Sequence, residues 1–328
     1  MKTRTLGANG FNVSEVGLGC WQLGGNWGID ISQDAAFDIL NEAVKNNITF
    51  FDTADVYGDG KSETLIGEFL KTCDTPIRVA TKFGRAGNAY PDKYTKDVLW
   101  KTVEGSLERL GVNSLDLLQL HCIPTHYLKE GSVFDWLRDL QQEGLIKHFG
   151  ASVETVEEGL ISMQQEGLLS LQVIFNIFRQ KLVTELFPQA EEKGVGIIVR
   201  LPLASGLLSG KFDAKTTFAA DDHRNFNRNG DAFNVGETFA GLPFEKGLEL
   251  VDVIKNNILP DNLTMVQLAL CWILDHKAVS TIIPGASSPK QVISNAEVSS
   301  LQRLSPEVHT ALIELYKTEV HDYIRGGY

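Results

Sequence analysis

A rhythm constrains this chain more than any single residue does. Short β-branched or aromatic runs recur eight times, at "VSEVGLGCW" (13–21), "ITFFDT" (48–53), "IRVATK" (77–82), "LDLLQLH" (115–121), "HFGAS" (148–152), "LQVIFN" (171–176), "GIIVRLPL" (196–203) and "STIIPG" (280–285). Runs this short and this apolar predict strands buried on both faces. Between them, "SQDAAFDILNEAVKNN" (32–47) repeats apolar residues at three- and four-residue spacings, with Ser32 placed as an N-cap. Segments 62–72, 95–111, 133–144 and 155–167 behave similarly, and several end on glycine, as helix C-termini do. Alternating strands and helices predict an α/β chain, here a single domain over 1–328 whose eight units close into a (β/α)8 TIM barrel. The structural competitor, a doubly wound sheet, announces itself by GxGxxG after its first strand. In "GLGCWQLGG", Gly17 and Gly19 are present but Gln22 stands where the third glycine is needed, so the barrel is the better reading.

Two regions depart from the rhythm. At the start, an Asn-Gly turn sits between two β-like runs and predicts an N-terminal hairpin across the barrel bottom. Residues 212–244 mix phenylalanines with polar residues without a period. An insertion of this length after the seventh strand is expected over the C-terminal face, where barrels do their chemistry. For the last residues, "HDYIRGGY", a mobile tail is the default expectation over a segment folded across the rim.

Composition narrows the class. A chain of 328 residues can bury a large core without disulfides or metal. Cys20, Cys73, Cys122 and Cys271 are scattered and form neither CxxC nor a Cys/His cluster, which fits reduced thiols. A net charge of −12 disfavours general nucleic-acid binding. The start lacks the apolar segment of a signal peptide, and no later run approaches membrane-spanning length. The expectation is a soluble, cytoplasmic protein that neither binds nucleic acid nor enters a membrane; its oligomeric state is not legible.

Strand C-terminal ends converge on one rim of a barrel, and four ionisable residues fall there: Asp52, Tyr57, Lys82 and His121. Taken singly each has an ordinary role: a turn cap, a half-buried anchor, a snorkelling lysine, a satisfied core histidine. Together they have a chemical one. A free phenol titrates near ~10, too high for efficient proton transfer at neutral pH. A lysine ammonium beside it lowers that value. Lys82 is placed to do this for Tyr57, Asp52 to orient Lys82, and His121 to direct a substrate oxygen. A lyase using Lys82 as a Schiff-base nucleophile would need a neutral amine, which an adjacent Asp52 opposes. A metal site is weaker still, since no ligand cluster accompanies His121.

"FFDTADVYG", "VATKFG" and "LLQLH" resemble the Asp–Tyr–Lys–His signature of the aldo-keto reductase superfamily. The similarity continues in order through "GASV", "LQVIFN", "LPLASGLLSGK" and "IIPGASSPKQVISN", and so spans nearly the whole chain. It is closer to the bacterial branch related to potassium-channel β subunits than to the vertebrate aldose-reductase branch. The resemblance implies a barrel that binds NADP(H) along its rim, NAD(H) use remaining open, and reduces small carbonyl compounds. Tyr57 would be the general acid in reduction and the base in oxidation; Asp55 carries no corresponding role.

Ser152 and Gln172 match positions that bond the nicotinamide carboxamide, although Val153 replaces the asparagine common after the serine. Arg200 opens "RLPL" where many relatives have an aromatic in "YSPL"; its planar guanidinium would stack on the nicotinamide and disfavour the oxidised ring. Leu201, Pro202 and Leu203 continue that contact. Ser205, Gly206 and Lys211 would wrap the pyrophosphate, and Gly285, Ser287, Gln291 and Asn295 would hold the adenosine end, with Lys290 a candidate for the 2′-phosphate. Cys20, Trp21 and Trp27 would line the mouth, joined by Phe83, Phe218 and Phe226. A cofactor-sensing regulatory subunit is the competing functional class, and turnover would discriminate the two.

Overall fold

The computed structural model describes residues 1–25 and 31–328; the expected mouth residue Trp27 lies outside them. Strands β1 (Thr3–Leu6) and β2 (Phe11–Ser14) form an antiparallel hairpin with Leu6 opposite Phe11. Eight parallel strands follow: β3 (Leu18–Gly19), β4 (Phe50–Asp52), β5 (Arg78–Phe83), β6 (Leu117–His121), β7 (Phe149–Ser152), β8 (Leu168–Ile174), β9 (Gly196–Arg200) and β10 (Val279–Ile282). Each pairs with its sequence neighbour from β3 to β10, and bridges from Val16 to Ile282 and from Gly19 to Gly285 bring the two edges together. The result is a (β/α)8 barrel.

The predicted strand 13–21 is divided. Val13 and Ser14 pair with β1, leaving β3 only two residues in the barrel. Elsewhere the apolar runs mark the strands to within a few residues. The seventh run stops at Arg200 because Leu201 turns to a φ of 53°, which ends the extended backbone.

Helix ends follow the local chemistry. Ser32 Oγ accepts from the Ala35 amide and starts Gln33–Lys45, and Thr95 caps Lys96–Leu110, which stops at Gly111 in the left-handed region. Segment 155–167 is helical only over Val156–Ser162, opened by a Thr155/Glu158 capping box. Helices Phe244–Asn257 and Met265–Leu274 lie between β9 and β10, so that connection holds more than an irregular loop. Their apolar faces join the large core between barrel and helices.

A smaller core fills the barrel's lower end: Leu6 and Val13 from the hairpin meet Phe50, Ala80, Leu117, Leu169, Ile198 and Ile283. The hairpin therefore plugs the bottom, and truncating a buried phenylalanine such as Phe50 to alanine would cost roughly 3–5 kcal/mol. This core also sets up the site. Side chains two apart on a strand share a face. Directly above Phe50, Ala80, Leu117 and Ile198 stand Asp52, Lys82, Gln119 and Arg200, with His121 two further on. The barrel interior is apolar below and polar above.

The C-terminal segment is not a loose tail. Arg325 donates to the carbonyls of Arg228, Gly241 and Leu242, at 3.0–3.1 Å, and the Tyr328 ring lies 4.3 Å from the Arg179 guanidinium. The default expectation of mobility fails because one planar, multi-donor side chain satisfies a row of loop carbonyls.

Candidate active site

Lys82 is wholly buried and donates to Asp52 Oδ1 at 2.5 Å, to the Thr53 carbonyl at 2.7 Å and to Tyr57 Oη at 3.3 Å. The second Asp52 oxygen accepts from Gln119 at 3.0 Å and from Gln172 at 2.7 Å. A buried carboxylate bonded in this way holds its lysine as a fixed ammonium. Burial would depress the Lys82 pKa, but Asp52 and Tyr57 outweigh it and raise it, which works against the neutral amine that a Schiff base requires.

The expected lowering of the Tyr57 pKa needs correction. Burial pushes the phenol up; Lys82 and Arg200 pull it down without reversing the shift. The group is therefore held as a neutral phenol with an ammonium 3.3 Å away. His121 stands edge-on to it with ring centroids 6.0 Å apart. Burial, with Arg85, Lys82 and Arg200 nearby, takes its pKa well below the ordinary value, which keeps the imidazole neutral. Its buried Nδ1 has no hydrogen-bond partner among the described residues.

Tyr57 is positioned by a close approach of two backbones. A Cβ on Gly58, whose φ is +63°, would lie 2.2 Å from the Gly24 carbonyl oxygen, and one on Gly24 would lie 2.7 Å from the Gly58 nitrogen. This contact sets the loop after β4 against Trp21–Gly24, and the Trp21 and Tyr57 rings stack at 5.9 Å.

A cavity of about 760 Å³ runs from this cluster along the rim. Asp52, Tyr57 and His121 line it, with Cys20, Trp21, Gln172, Arg200, Leu201, Pro202, Leu203, Ser205, Gly206, Lys211, Gly285, Ser287, Lys290, Gln291 and Asn295. Two expected residues stand behind its wall: Lys82, and Ser152, whose Oγ lies 3.6 Å from Cys122 Sγ. Others have their side chains engaged within the protein. The Gln172 amide nitrogen bonds Asp52 and Gln119; Gln291 Oε1 accepts from the Ser287 amide and hydroxyl. Ser205 Oγ donates to the Glu237 carbonyl and accepts from the Phe239 amide, so it pins the loop above.

The three phenylalanines expected at the mouth are elsewhere. Phe83 is wholly buried in the core, Phe218 packs among Phe212, Phe239 and Phe244, and Phe226 points to solvent. Phe212 and Phe233 line the cavity instead. The sequence reading also missed Gln119, whose signal was its strand parity between Leu117 and His121. It missed Arg85, Glu154 and Glu237 too, which come from three separate loops and share no local pattern.

Arg85 binds Glu154 at 2.8 Å and Glu237 at 2.6 Å, and Arg200 reaches Glu237 at 3.3 Å. Burial works against the Glu237 charge, but Arg85 and Arg200 hold its pKa at about 2. Cys122, Glu154 and Glu237 offer ligand atoms within 4.8 Å of one another, yet both carboxylates already hold guanidinium groups, so the cluster reads as an ion-pair network.

A parallel barrel with a phenol, ammonium, carboxylate and imidazole at one end of a rim cavity defines a class, that of carbonyl oxidoreductases built on a (β/α)8 frame. The Aldo/keto reductase family model matches residues 15–317, and the chain belongs to that family. It is 29% identical to an uncharacterized oxidoreductase, YqkF, of Bacillus subtilis over 98% of both chains. It is likewise 29% identical to a probable aldo-keto reductase 1 of Glycine max, over 88% of this chain and 82% of that one. Among solved structures, the glycerol dehydrogenase AKR11B4 of Gluconobacter oxydans superposes with a TM-score of 0.79 at 26% identity, covering 99% of this chain and 98% of that one. The holo form of aldo-keto reductase AKR11C1 of Bacillus halodurans gives 0.76 at 27% identity, covering 96% of each. Among the described residues, no helix is long and apolar enough to cross a membrane.

Proposed function

We propose that this protein reduces small aldehydes or ketones to alcohols with NADPH, reversibly, using Tyr57 as proton donor and, in the reverse direction, acceptor. The observation that carries this reading is the Tyr57 hydroxyl at the cavity wall, 3.3 Å from a lysine that Asp52 holds charged.

The cavity suits a nicotinamide dinucleotide. Gln22 Oε1, His121 Nδ1 and Arg200 Nε are buried polar atoms with no hydrogen-bond partner among the described residues, and all three residues line it. Two strips extend the wall: 201–211, where Leu201, Pro202 and Leu203 give way to Ser205, Gly206 and Lys211, and the smaller, more polar 285–295. When bound there, the cofactor would supply the hydride. The protein would do the rest: His121 orients the carbonyl oxygen, Tyr57 delivers the proton, and Lys82 stabilises the phenolate left behind. Lys290 on the cavity wall supports NADPH over NADH, through charge at the 2′-phosphate. The motif likeness to the bacterial branch allied to channel β subunits, and a cytoplasmic location suggested by four free, scattered cysteines, belong to the same reading.

The test is oxidation of NADPH and NADH against a panel of aldehydes and ketones, with Tyr57→Phe alongside. Turnover should fall by about 10²–10⁴-fold in the variant while NADPH still binds. Wild-type turnover without the phenol would remove Tyr57 from the mechanism.

A further inference from the structure

Arg200 poses a problem that its own position does not solve. On the reading above it faces a ring that is neutral when reduced and cationic when oxidised, so a bare guanidinium would penalise the oxidised cofactor. The loop above the site supplies an answer. Glu237, 4% exposed, lies within the short turn Val235–Glu237 and presents one oxygen, Oε1, to both Arg200 Nη1 at 3.3 Å and Arg85 Nη2 at 2.6 Å. Its other oxygen accepts from Arg85 Nη1 at 3.2 Å.

Glu237 is held through its backbone as well as its carboxylate. Its own carbonyl accepts from Ser205 Oγ at 3.0 Å, and Ser205 lies five residues beyond Arg200 at a φ of 55°. Arg200, the Ser205 loop and Glu237 thus close a ring. Arg85 is anchored in turn by Glu154, and Asn234, three residues before Glu237, donates to Glu154 at 2.9 Å. Charges alternate along Glu154, Arg85, Glu237 and Arg200, and Arg200 is the terminal cation. Its guanidinium is aimed by Glu237 on one side and by Cys122 Sγ, 3.5 Å from Nη2, on the other.

We infer that Glu237 is a positioning residue for the cofactor: it orients the Arg200 guanidinium and offsets its charge, so that reduced and oxidised nicotinamide bind with comparable affinity. The inference rests on the proposed cofactor reading and concerns binding rather than turnover. A residue that merely glued the loop down would change both affinities together. Glu237 should change their ratio, because only the oxidised ring carries charge.

The experiment is a titration of wild type, Glu237→Gln, Arg200→Gln and the double variant with NADPH and NADP⁺, and with NADH and NAD⁺, followed by tryptophan fluorescence and calorimetry. Glu237→Gln should raise the oxidised-to-reduced Kd ratio by about tenfold or more (~1.4 kcal/mol). Arg200→Gln should lower that ratio, since it removes the cation beside the ring while Glu237 stays in place on Arg85, and the double variant should return near wild type. Equal weakening of both forms, or a shift in Glu237→Gln that persists without Arg200, overturns the inference. If Glu237→Gln does not fold, the sign in Arg200→Gln decides, and an unchanged ratio there also overturns it. Wild type that binds neither form of either dinucleotide overturns the cofactor reading, and this inference with it.

Discussion

Asp52 shows how one buried residue can be fully committed. Its two oxygens take Lys82, Gln119 and Gln172, so Asp52→Ala would strand a buried ammonium and two amides. Asp55, three residues on, is the opposite case. Burial first, then the nearby Glu63 carboxylate, raises its pKa from 3.8 to about 7. A carboxyl whose folded pKa exceeds its unfolded one takes up protons on folding. Stability is therefore lost as pH rises from about 4 to about 7, and the full cost persists above that window. Asp55→Asn removes the titration. Its thermal midpoint should exceed wild type by a few degrees at pH 8, and scans should show that advantage gone by pH 4. An advantage independent of pH would mean the side chain is not charged in the folded protein at pH 8.

At the level of elements, loops aim the chemistry that strands position. Strand parity puts Asp52, Lys82, Gln119 and His121 above the bottom core, but Tyr57 reaches them only because its loop seats on Trp21–Gly24 through the Gly58–Gly24 contact. Gly58→Ala meets a backbone oxygen at 2.2 Å and sits in a left-handed conformation costing about 1 kcal/mol before any clash. We expect its kcat to fall by about tenfold or more through displacement of the phenol, with cofactor Kd nearly unchanged because the strips proposed to hold it, 201–211 and 285–295, lie elsewhere. Steady-state kinetics beside a binding titration checks this, and an unaltered kcat would show that the loop tolerates the shift. Much of this level was legible: apolar runs marked the strands, and Ser32 marked a helix start. The cut at Leu201 and the division of the first strand were not, because one depends on a left-handed turn at a leucine and the other on which neighbour offers a backbone hydrogen-bond partner.

For the whole molecule, the loop over the site and the C-terminal segment act as one cover. Arg325 ties the chain end to residues 228–242, and Glu237 ties that loop to Arg85 and Arg200 beneath it. Arg325→Ala releases the outer tie and leaves the tetrad untouched. Limited proteolysis should then cut within 212–244 several-fold faster than in wild type, since cleavage follows the population of the open loop. Equal cleavage rates would mean that the loop closes without the chain end.

By itself, the amino-acid order determined the barrel and singled out Asp52, Tyr57, Lys82 and His121, which the structure gathers at one end of the cavity. Strand period, helix caps and residue type at strand ends are local properties, written where they act. Only the tertiary structure decided what surrounds that cluster. Gln119 and Gln172 converge on Asp52 from different strands, burial outweighs Lys82 at the Tyr57 phenol, and Arg85, Glu237 and Arg200 meet from positions up to 152 residues apart. Desolvation and long-range charge pairing depend on distance in space, which the order of residues along a chain does not record.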